Sequence, residues 1–247
     1  MSETILVIPT YNEAANINEL VERIFAQKIP DLKIIIVDDG SPDGTTDIIK
    51  ELQNSYPIQL IERPAKSGLG AAYVCGFQAA LNQAPRFVVQ MDADLSHDPA
   101  DLPRLLTALD NGADMVIGSR KVAGGKIVGW NWRRHLMSNG AMAASRLLLG
   151  LRARDVTAGY RGWRRGMLEN LDLTKITSNG YAFQEEMLWR AQQLGLPTGQ
   201  AGGKIVEVPV TFVDRVAGQS KLSSKDAREF FQLIWRLRRQ GKWAKIK

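Results

Sequence analysis

The chain has 247 residues, of which 45% are apolar and 23% are charged. This composition is typical of a globular protein and excludes an intrinsically disordered chain, and the length fits one large domain. The formal net charge of +6 favours anionic partners such as phosphates, nucleic acid or acidic lipid headgroups, and leaves the choice among them open. Because Cys75 is the only cysteine, an intrachain disulfide and a cysteine-based zinc site are excluded, and we expect it in the core of a protein from a reducing compartment.

The amino terminus lacks the pattern of a signal peptide, and no run of about 18 apolar residues occurs along the sequence. We therefore expect a cytoplasmic protein whose contact with a membrane is peripheral.

Short β-branched runs alternate with helical patterns in the first half of the chain. The predicted strands are Ile5 to Ile8, Ile34 to Val37, Ile58 to Ile61, Phe87 to Met91 and Met115 to Gly118. Helical spacing of apolar residues follows the first strand, from Ile17 to Phe25, and the fourth, from Leu102 to Leu109. Repeated strand, helix, strand units predict a doubly wound α/β domain with a mostly parallel central sheet and helices on both faces.

The second half of the chain is less regular. After Arg120 we predict a glycine-rich stretch, a helix from about Arg134 to Leu149 and a strand from Ile205 to Phe212. An amphipathic helix is predicted over Lys225 to Arg239, and a lysine-rich tail follows it. We therefore expect a catalytic domain over residues 1–224 and an amphipathic helix with a basic tail over residues 225–247, which suits an anionic membrane surface.

Polar residues follow four of the predicted strands. They lie in Pro9-Thr10-Tyr11-Asn12-Glu13, Asp38-Asp39-Gly40-Ser41, Asp92-Ala93-Asp94 and Ser119-Arg120. Each segment alone has a plain structural interpretation, since Asp39-Gly40-Ser41-Pro42, for example, is a good turn sequence. Their joint position at the carboxyl ends of neighbouring strands, where α/β sheets bind ligands, favours a functional site.

Asp92 and Asp94 are separated by one residue at the end of a strand, so both carboxylates can approach one cation. Mg²⁺ or Mn²⁺ prefers oxygen ligands and is usually held by one or two carboxylates together with substrate phosphate oxygens. Asp39 and Glu13, at the ends of neighbouring strands, are placed to hydrogen-bond a base or a ribose. The sequence therefore predicts a metal-dependent nucleotide site.

Other motifs argue against competing classes of site. The segment Lys66-Ser67-Gly68-Leu69-Gly70 lacks the residue order of a P-loop, and no dinucleotide-binding glycine motif follows the first strand. His97 and His135 are far apart in sequence and have no cysteine partner, so a zinc site is not expected, and His97 would at most support the site from behind. Glu185 and Glu186 are interpreted either as acidic residues that cap the start of a helix or as residues that position the acceptor or the sugar.

A resemblance to a known family extends over nearly the whole chain. The segments that carry it are Val7-Ile8-Pro9-Thr10-Tyr11-Asn12-Glu13, Val37-Asp38-Asp39-Gly40-Ser41-Pro42-Asp43-Gly44-Thr45, Lys66-Ser67-Gly68-Leu69-Gly70-Ala71-Ala72, Asp92-Ala93-Asp94-Leu95-Ser96-His97, Gly118-Ser119-Arg120 and Phe183-Gln184-Glu185-Glu186. The sequence resembles glycosyltransferase family 2 in the GT-A fold, and more narrowly the dolichol-phosphate or polyprenol-phosphate mannosyltransferases.

The resemblance implies specific roles for residues of this sequence. Contacts to the donor GDP-mannose are implied for Pro9, Tyr11, Glu13, Val37, Asp39, Asp92, Ala93, Asp94, Arg215 and Lys221. Metal binding is implied for Asp94 and Ser96, in addition to the Asp92 expected from the spacing of the two carboxylates, although several relatives carry a Gln in place of Ser96. Arg120, Arg134 and Ser138 match positions that hold the acceptor phosphate, Arg215 and Lys221 match a loop that closes over the donor diphosphate, and the expected catalytic residues are Asp94, Arg120 and Arg215.

The predicted reaction is inverting transfer of mannose from GDP-mannose to polyprenyl or dolichyl phosphate. Cations are needed to bring the donor diphosphate and the acceptor phosphate together, and arginine suits phosphate oxygens. Because the acceptor is already an anion, no strong general base is required. The expected partners are these two substrates, a membrane surface and a small membrane-anchoring subunit, and not nucleic acid.

Two alternatives remain open. The enzyme could use UDP-glucose or UDP-GlcNAc as the donor, on polyprenyl phosphate or on another acceptor. The chain could also be a nucleotide-binding α/β module without catalytic activity.

Overall fold

A computed structural model describes residues 3–178, 180–194, 203–214 and 233–238. Its strands are β1 (Thr4–Thr10), β2 (Leu32–Asp38), β3 (Ile58–Glu62), β4 (Phe87–Gln90), β5 (Met115–Ser119), β6 (Lys126–Val128), β7 (Arg161–Arg164), β8 (Ile205–Pro209) and β9 (Thr211–Val213). Its α-helices are α1 (Ile17–Phe25), α2 (Thr45–Leu52), α3 (Leu69–Leu81), α4 (Leu102–Asp110), α5 (Trp132–Leu149), α6 (Arg165–Asn170) and α7 (Gly180–Gln193).

The central sheet has seven strands in the order β3-β2-β1-β4-β7-β5-β8. All of its strands run parallel except β7, which lies antiparallel between β4 and β5. A second sheet pairs β6 with β9 in parallel. The carboxyl ends of β1, β2, β4 and β5 therefore share one edge, and the start of β7 lies at the same edge.

Helices cover both faces of the central sheet, as predicted. Alternating side chains of each strand enter different cores: Ile5 and Val7 pack with α3, α5 and α7 on one face. Leu6 and Ile8 pack with α1, α2 and α4 on the other face. The unbroken apolar runs of the strands are explained by this burial on both sides. Cys75 packs against the first of these cores, as expected.

Two predictions for the second half of the chain need correction. The strand predicted from Ile205 to Phe212 is two strands, because β8 ends at Pro209 and the chain then pairs with β6 instead of β5. Proline has no backbone N–H to donate to a neighbouring strand, so prolines are common at the ends of strands. Strand β7 was missed altogether, since Arg161-Gly162-Trp163-Arg164 does not have an apolar pattern although Arg161 and Trp163 are fully buried.

The described part of the predicted amphipathic helix, residues 233–238, is helical. Its apolar side chains Leu233, Ile234 and Leu237 are buried in the core of the domain, so they do not form a membrane-facing surface. Arg236 donates a hydrogen bond to Glu186 of α7 at 2.8 Å and fixes the segment there. The predicted boundary between residues 224 and 225 lies outside the described residues, so the division into two domains stays a prediction.

Among the helices within the described ranges, none combines the length and the apolar character needed to span a bilayer.

Candidate active site

The loops after β1 and β2 form one side of the site. Asp38, at the end of β2, accepts hydrogen bonds from the hydroxyl groups of Thr10, Ser41 and Thr46 at 2.6 to 3.2 Å, so its role is to shape the turn. The loop after β1 is joined to the same region, because the Glu13 N–H donates to Thr45 Oγ1 at 2.9 Å. Both loops are therefore held in place at the sheet edge.

Asp39 lies at this edge and is 4% exposed. Its Oδ1 accepts a hydrogen bond from Arg63 at 2.6 Å, and its Oδ2 accepts one from the Ser67 N–H at 3.2 Å. Because a carboxylate has about four lone-pair sites, Asp39 keeps acceptor capacity for a ligand. The contact with Ser67 also ties Asp39 to the segment that precedes α3.

The other predicted donor residues on this side occupy two different environments. Tyr11 is half-buried, and the Lys66 ammonium lies 3.7 Å from the centre of its ring. Pro9 and Val37 are buried within β1 and β2, where they pair in register. They form the floor beneath the loops, while Tyr11 and Glu13 lie above it.

The loop after β4 carries Asp92 and Asp94. Asp92 Oδ1 accepts a hydrogen bond from the Tyr73 hydroxyl at 2.7 Å, and the Asp92 N–H donates to His97 Nδ1 at 3.2 Å. Asp94 Oδ1 accepts from the Ser96 N–H at 3.1 Å. Leu95, between them, has a φ of 60°, an uncommon value for a residue with a side chain. The loop is thus bent tightly and both carboxylates are oriented.

These carboxylates fit a divalent cation of the Mg²⁺ or Mn²⁺ type. No group of three or more His, Cys, Asp or Glu side chains able to hold a metal ion occurs within the described ranges. Two oriented carboxylates match instead the sites in which substrate phosphates supply the remaining oxygen ligands. The Ser96 side chain is 2% exposed, and its ligand role stays a prediction.

Arg120 follows β5 and is held by Asp155. Its Nε and Nη2 donate to the two Asp155 oxygens at 2.7 and 2.6 Å, and Nη2 also donates to Thr157 Oγ1 at 2.9 Å. Burial alone would raise the pKa of Asp155, but the Arg120 guanidinium outweighs burial and holds the pKa below its usual 3.8. The Arg120 side chain is only 7% exposed, so the pair is a buried ionic contact at the site.

Arg134 and Ser138 lie one turn apart on one face of α5, which Asn131 caps by accepting from the Arg134 N–H at 2.9 Å. The Arg134 guanidinium donates to Asp214 at 2.5 Å and lies 4.3 Å from the centre of the Trp130 ring. Its side chain is 30% exposed. Arg134 is therefore more accessible than Arg120.

One cleft brings the two sides together. Its lining includes Asp92 and Ser96 from the loop after β4, Arg120 from the end of β5, and Trp130, Thr157 and Phe212. The centre of the Trp130 ring lies 5.7 Å from the Arg120 guanidinium and 4.3 Å from that of Arg134. The Asp92 carboxylate and the Arg120 guanidinium, predicted for the donor and the acceptor side, thus belong to residues that line the same cleft. The predicted residues Arg215 and Lys221 lie outside the described residues.

Several residues of the site were not predicted from the sequence. They are Tyr73, Trp130, Asp155, Thr157, Gly159 and Phe212. Asp155 and Thr157 could have been noticed as polar residues just before a buried segment. Trp130 and Phe212 could not, because only the pairing of β6 with β9 brings them together.

The interpretation of Glu185 and Glu186 as helix caps is wrong. Both lie beyond the first turn of α7 and are 2% and 0% exposed. Glu186 is paired with Arg190 and Arg236, whereas Glu185 accepts a hydrogen bond from Ser145 of α5 at 2.7 Å. Burial raises the pKa of Glu185 to about 7, although Ser145 and Arg161 act in the opposite direction.

Comparison with known proteins shows the family of the chain. Residues 5–172 match the model of the family described as glycosyl transferase family 2. The chain is 46% identical to a polyprenol monophosphomannose synthase of Mycolicibacterium smegmatis, over 92% of this chain and 83% of that protein. It is 43% identical to an undecaprenyl-phosphate mannosyltransferase of Micrococcus luteus, over 88% of this chain and 86% of that protein.

A solved structure of a mannosyltransferase from Pyrobaculum calidifontis, in complex with GDP-Man and Mn²⁺, has a similar fold. The TM-score is 0.57 at 21% identity, and the match covers 88% of this chain and 58% of the other.

Proposed function

The chain belongs to glycosyl transferase family 2, and on that premise we propose that it transfers mannose from GDP-mannose to a polyprenyl phosphate. The products would be GDP and β-mannosyl phosphoryl polyprenol, since a single displacement on an α-linked donor inverts the anomeric configuration. The observation that carries the proposal is the cleft in which Asp92 and Arg120 are both exposed to a common space. The high identity to a polyprenol monophosphomannose synthase supports the choice of substrates.

On the donor side, the loops after β1 and β2 would bind the nucleotide. Tyr11, Glu13 and Asp39 would contact the base and ribose, above the floor that Pro9 and Val37 provide. Asp92, Ala93 and Asp94 would hold the diphosphate end, with Ser96 as a further ligand. A Mg²⁺ or Mn²⁺ ion bound at Asp92 and Asp94 would supply neutralisation of the charge that develops on the departing diphosphate.

On the acceptor side, Arg120, Arg134 and Ser138 would bind the lipid phosphate. The Asp155 carboxylate fixes the Arg120 guanidinium, and Arg134 is the more accessible of the two cations. Arginine donates to phosphate oxygens in pairs, which orients the acceptor as well as attracting it. The phosphate oxygen is already an anion and can attack the anomeric carbon without a general base. Arg215 and Lys221 would close over the donor diphosphate.

An exposed apolar surface on α5 supports a lipid acceptor. Trp132, Leu136 and Leu147 share one side of the helix and are 69%, 66% and 82% exposed, and Met137 beside them is 58% exposed. Exposed apolar side chains of this size on one helix are typical of a membrane or partner contact. Because Arg134 and Ser138 lie on the same helix, docking of α5 would place the acceptor phosphate at the cleft. We place the enzyme on the cytoplasmic face of a membrane, with or without a small anchoring subunit.

The test is a panel of labelled sugar nucleotides offered with polyprenyl phosphate and Mn²⁺ or Mg²⁺. We expect label in the lipid fraction from GDP-mannose. Transfer only from UDP-glucose or UDP-GlcNAc would contradict the proposed donor, and binding without transfer from any donor would favour a non-catalytic module.

A further inference from the structure

Tyr73, which was not predicted as a site residue, contacts Asp92, the first of the two carboxylates of the donor site. Tyr73 lies in α3, is 0% exposed, and donates from its hydroxyl to Asp92 Oδ1 at 2.7 Å. The Tyr73 hydroxyl is the donor in this contact, so one oxygen of the Asp92 carboxylate is engaged by the protein.

The Tyr73 ring is held rigidly. It stacks on Phe183 of α7 with the ring centres 5.5 Å apart and the planes 1° apart, and on Phe77 at 5.7 Å. Helix α3 itself lies unusually close to the sheet, because a Cβ on Gly76 would come within 2.3 Å of Val7 Cγ1. Because packing locks the side chain, its hydroxyl stays in one position and holds the accepting carboxylate in one orientation.

The rest of Asp92 is restrained as well. Its N–H donates to His97 Nδ1, and its Oδ2 lies beside Gly159, where a Cβ would come within 2.9 Å of that oxygen. Among the described residues, no hydrogen bond reaches Asp92 Oδ2, while Asp92 lines the cleft that it shares with Arg120. One oxygen of the carboxylate thus accepts a hydrogen bond from the protein, while the other lies beside Gly159, a residue that lines the same cleft as Asp92.

We infer, on the premise of the proposed function, that Tyr73 is a positioning residue for donor binding: it holds Asp92 Oδ1 so that Oδ2 faces the divalent cation and the donor diphosphate. A hydrogen-bonded partner behind a metal-binding carboxylate fixes its orientation and adds to metal affinity.

Helix α3 also joins the two halves of the donor site. The Ser67 N–H, two residues before the helix begins, donates to Asp39 Oδ2, and Tyr73 lies just beyond the first turn. A shift of α3 would therefore move the partner of Asp39 and the partner of Asp92 together. The partners of Asp39 and Asp92 are thus carried by α3 and by the segment that leads directly into it.

The experiment compares the full-length wild type with Tyr73→Phe, which keeps the ring and removes only the hydroxyl. Tyr160→Phe is the matched control, because Tyr160 is also 0% exposed and its hydroxyl has no hydrogen-bond partner within the described part of the chain. Binding of Mn²⁺ to the complex with GDP is measured by electron paramagnetic resonance. GDP binding is measured by calorimetry with Mn²⁺ and in a chelator.

We expect Tyr73→Phe to weaken Mn²⁺ binding about tenfold or more, the usual effect of removing such a supporting partner. GDP binding in the chelator should stay unchanged, and Tyr160→Phe should match the wild type in both assays. Equal Mn²⁺ affinity in Tyr73→Phe and Tyr160→Phe would overturn the inference while leaving the proposed function intact. So would an equal loss of GDP affinity with and without Mn²⁺, since that marks a general structural defect.

Absence of Mn²⁺-dependent GDP binding by the wild type would instead overturn the proposed donor site, and the inference with it. If Tyr73→Phe does not fold, Phe183→Leu removes the stacking surface beneath the ring and leaves the hydroxyl. We then expect a smaller loss of Mn²⁺ affinity in the same direction, and an unchanged affinity would overturn the inference.

Discussion

The two arginines assigned to the acceptor phosphate are bound to the protein in different ways. Arg120 forms a buried, two-pronged contact with Asp155. Removing one partner of a buried ion pair typically costs about 3 to 5 kcal/mol of stability, so a change at Arg120 would disturb folding and function together. Arg134 is 30% exposed and pairs with Asp214, which is 26% exposed. Arg134 is therefore the cleaner probe of acceptor binding.

We predict that Arg134→Gln raises the KM for polyprenyl phosphate about tenfold or more, because one charge-assisted hydrogen bond is worth roughly 1.5 to 3 kcal/mol. The KM for GDP-mannose should not change. Arg133→Gln, one residue away on the exposed surface of α5, is the matched control. Initial rates at varied acceptor concentration check the prediction, and an unchanged acceptor KM in Arg134→Gln would remove Arg134 from the site.

Glu185 makes stability depend on pH. Burial raises its pKa from 4.5 to about 7, so the folded protein binds a proton that the unfolded chain releases between these values. The contribution of Glu185 to the free energy of unfolding is fully present below about pH 4.5, and it is lost as the pH rises to about 7. We predict that Glu185→Gln, which resembles the protonated acid, matches the wild type at pH 5 and is more stable at pH 8 by up to about 3 kcal/mol.

Chemical unfolding at the two pH values tests this prediction. Glu186→Gln is the contrasting variant, because Glu186 is paired with Arg190 and Arg236 and its loss should destabilise the protein at both pH values. Equal stability of Glu185→Gln and the wild type at pH 8 would mean that folding does not raise the pKa of Glu185.

At the scale of elements, the first half of the chain was predictable because its strands are buried on both faces. Continuous β-branched runs such as Ile34 to Val37 mark such strands directly. Strand β7 was missed because its buried Arg161 donates hydrogen bonds to the backbone carbonyl oxygens of Gln184 and Val156, contacts that no local pattern reveals. The strand predicted across Pro209 was split because the partner changes from β5 to β6, a choice made by tertiary structure.

The packing of α3 against the sheet gives a prediction for one glycine. Gly76→Ala should cost about 1 to 3 kcal/mol of stability, because the added methyl group would overlap Val7. Gly140→Ala is the matched control within α5, since a Cβ there meets nothing within 4 Å. That change should stabilise the protein by about 0.5 to 1 kcal/mol through helix propensity. Denaturant unfolding measures both, and an unchanged stability of Gly76→Ala would contradict the close approach.

For the molecule as a whole, the sequence predicted the polar residues at the sheet edge better than it predicted which surface of the protein is exposed and apolar. The position of Asp39, Asp92, Asp94 and Arg120 at one edge was predictable because parallel strands bring their carboxyl ends together there. The membrane surface was first assigned to the carboxyl-terminal segment, yet the apolar residues described there pack into the core. Amphipathic spacing alone does not distinguish a face that meets lipid from a face that meets protein.

We predict that α5 provides the membrane contact. Trp132→Glu should reduce sedimentation with anionic phospholipid vesicles about tenfold, equivalent to roughly 1.5 kcal/mol for withdrawing one large apolar side chain. Trp235→Glu is the matched control, because Trp235 is similarly exposed at 60% but lies in the carboxyl-terminal segment. If Trp235→Glu lowered sedimentation with the vesicles and Trp132→Glu did not, the membrane contact would lie in the carboxyl-terminal segment and not in α5.

The most direct measurement of the central claim is the structure of the lipid product. Wild type is incubated with GDP-mannose, Mn²⁺ and a short polyprenyl phosphate in detergent, and the lipid fraction is examined by mass spectrometry and NMR. The account predicts a mannosyl phosphoryl lipid with the β configuration, and almost none from Asp94→Asn. A product with the α configuration, no mannolipid at all, or an equal yield from Asp94→Asn would contradict it.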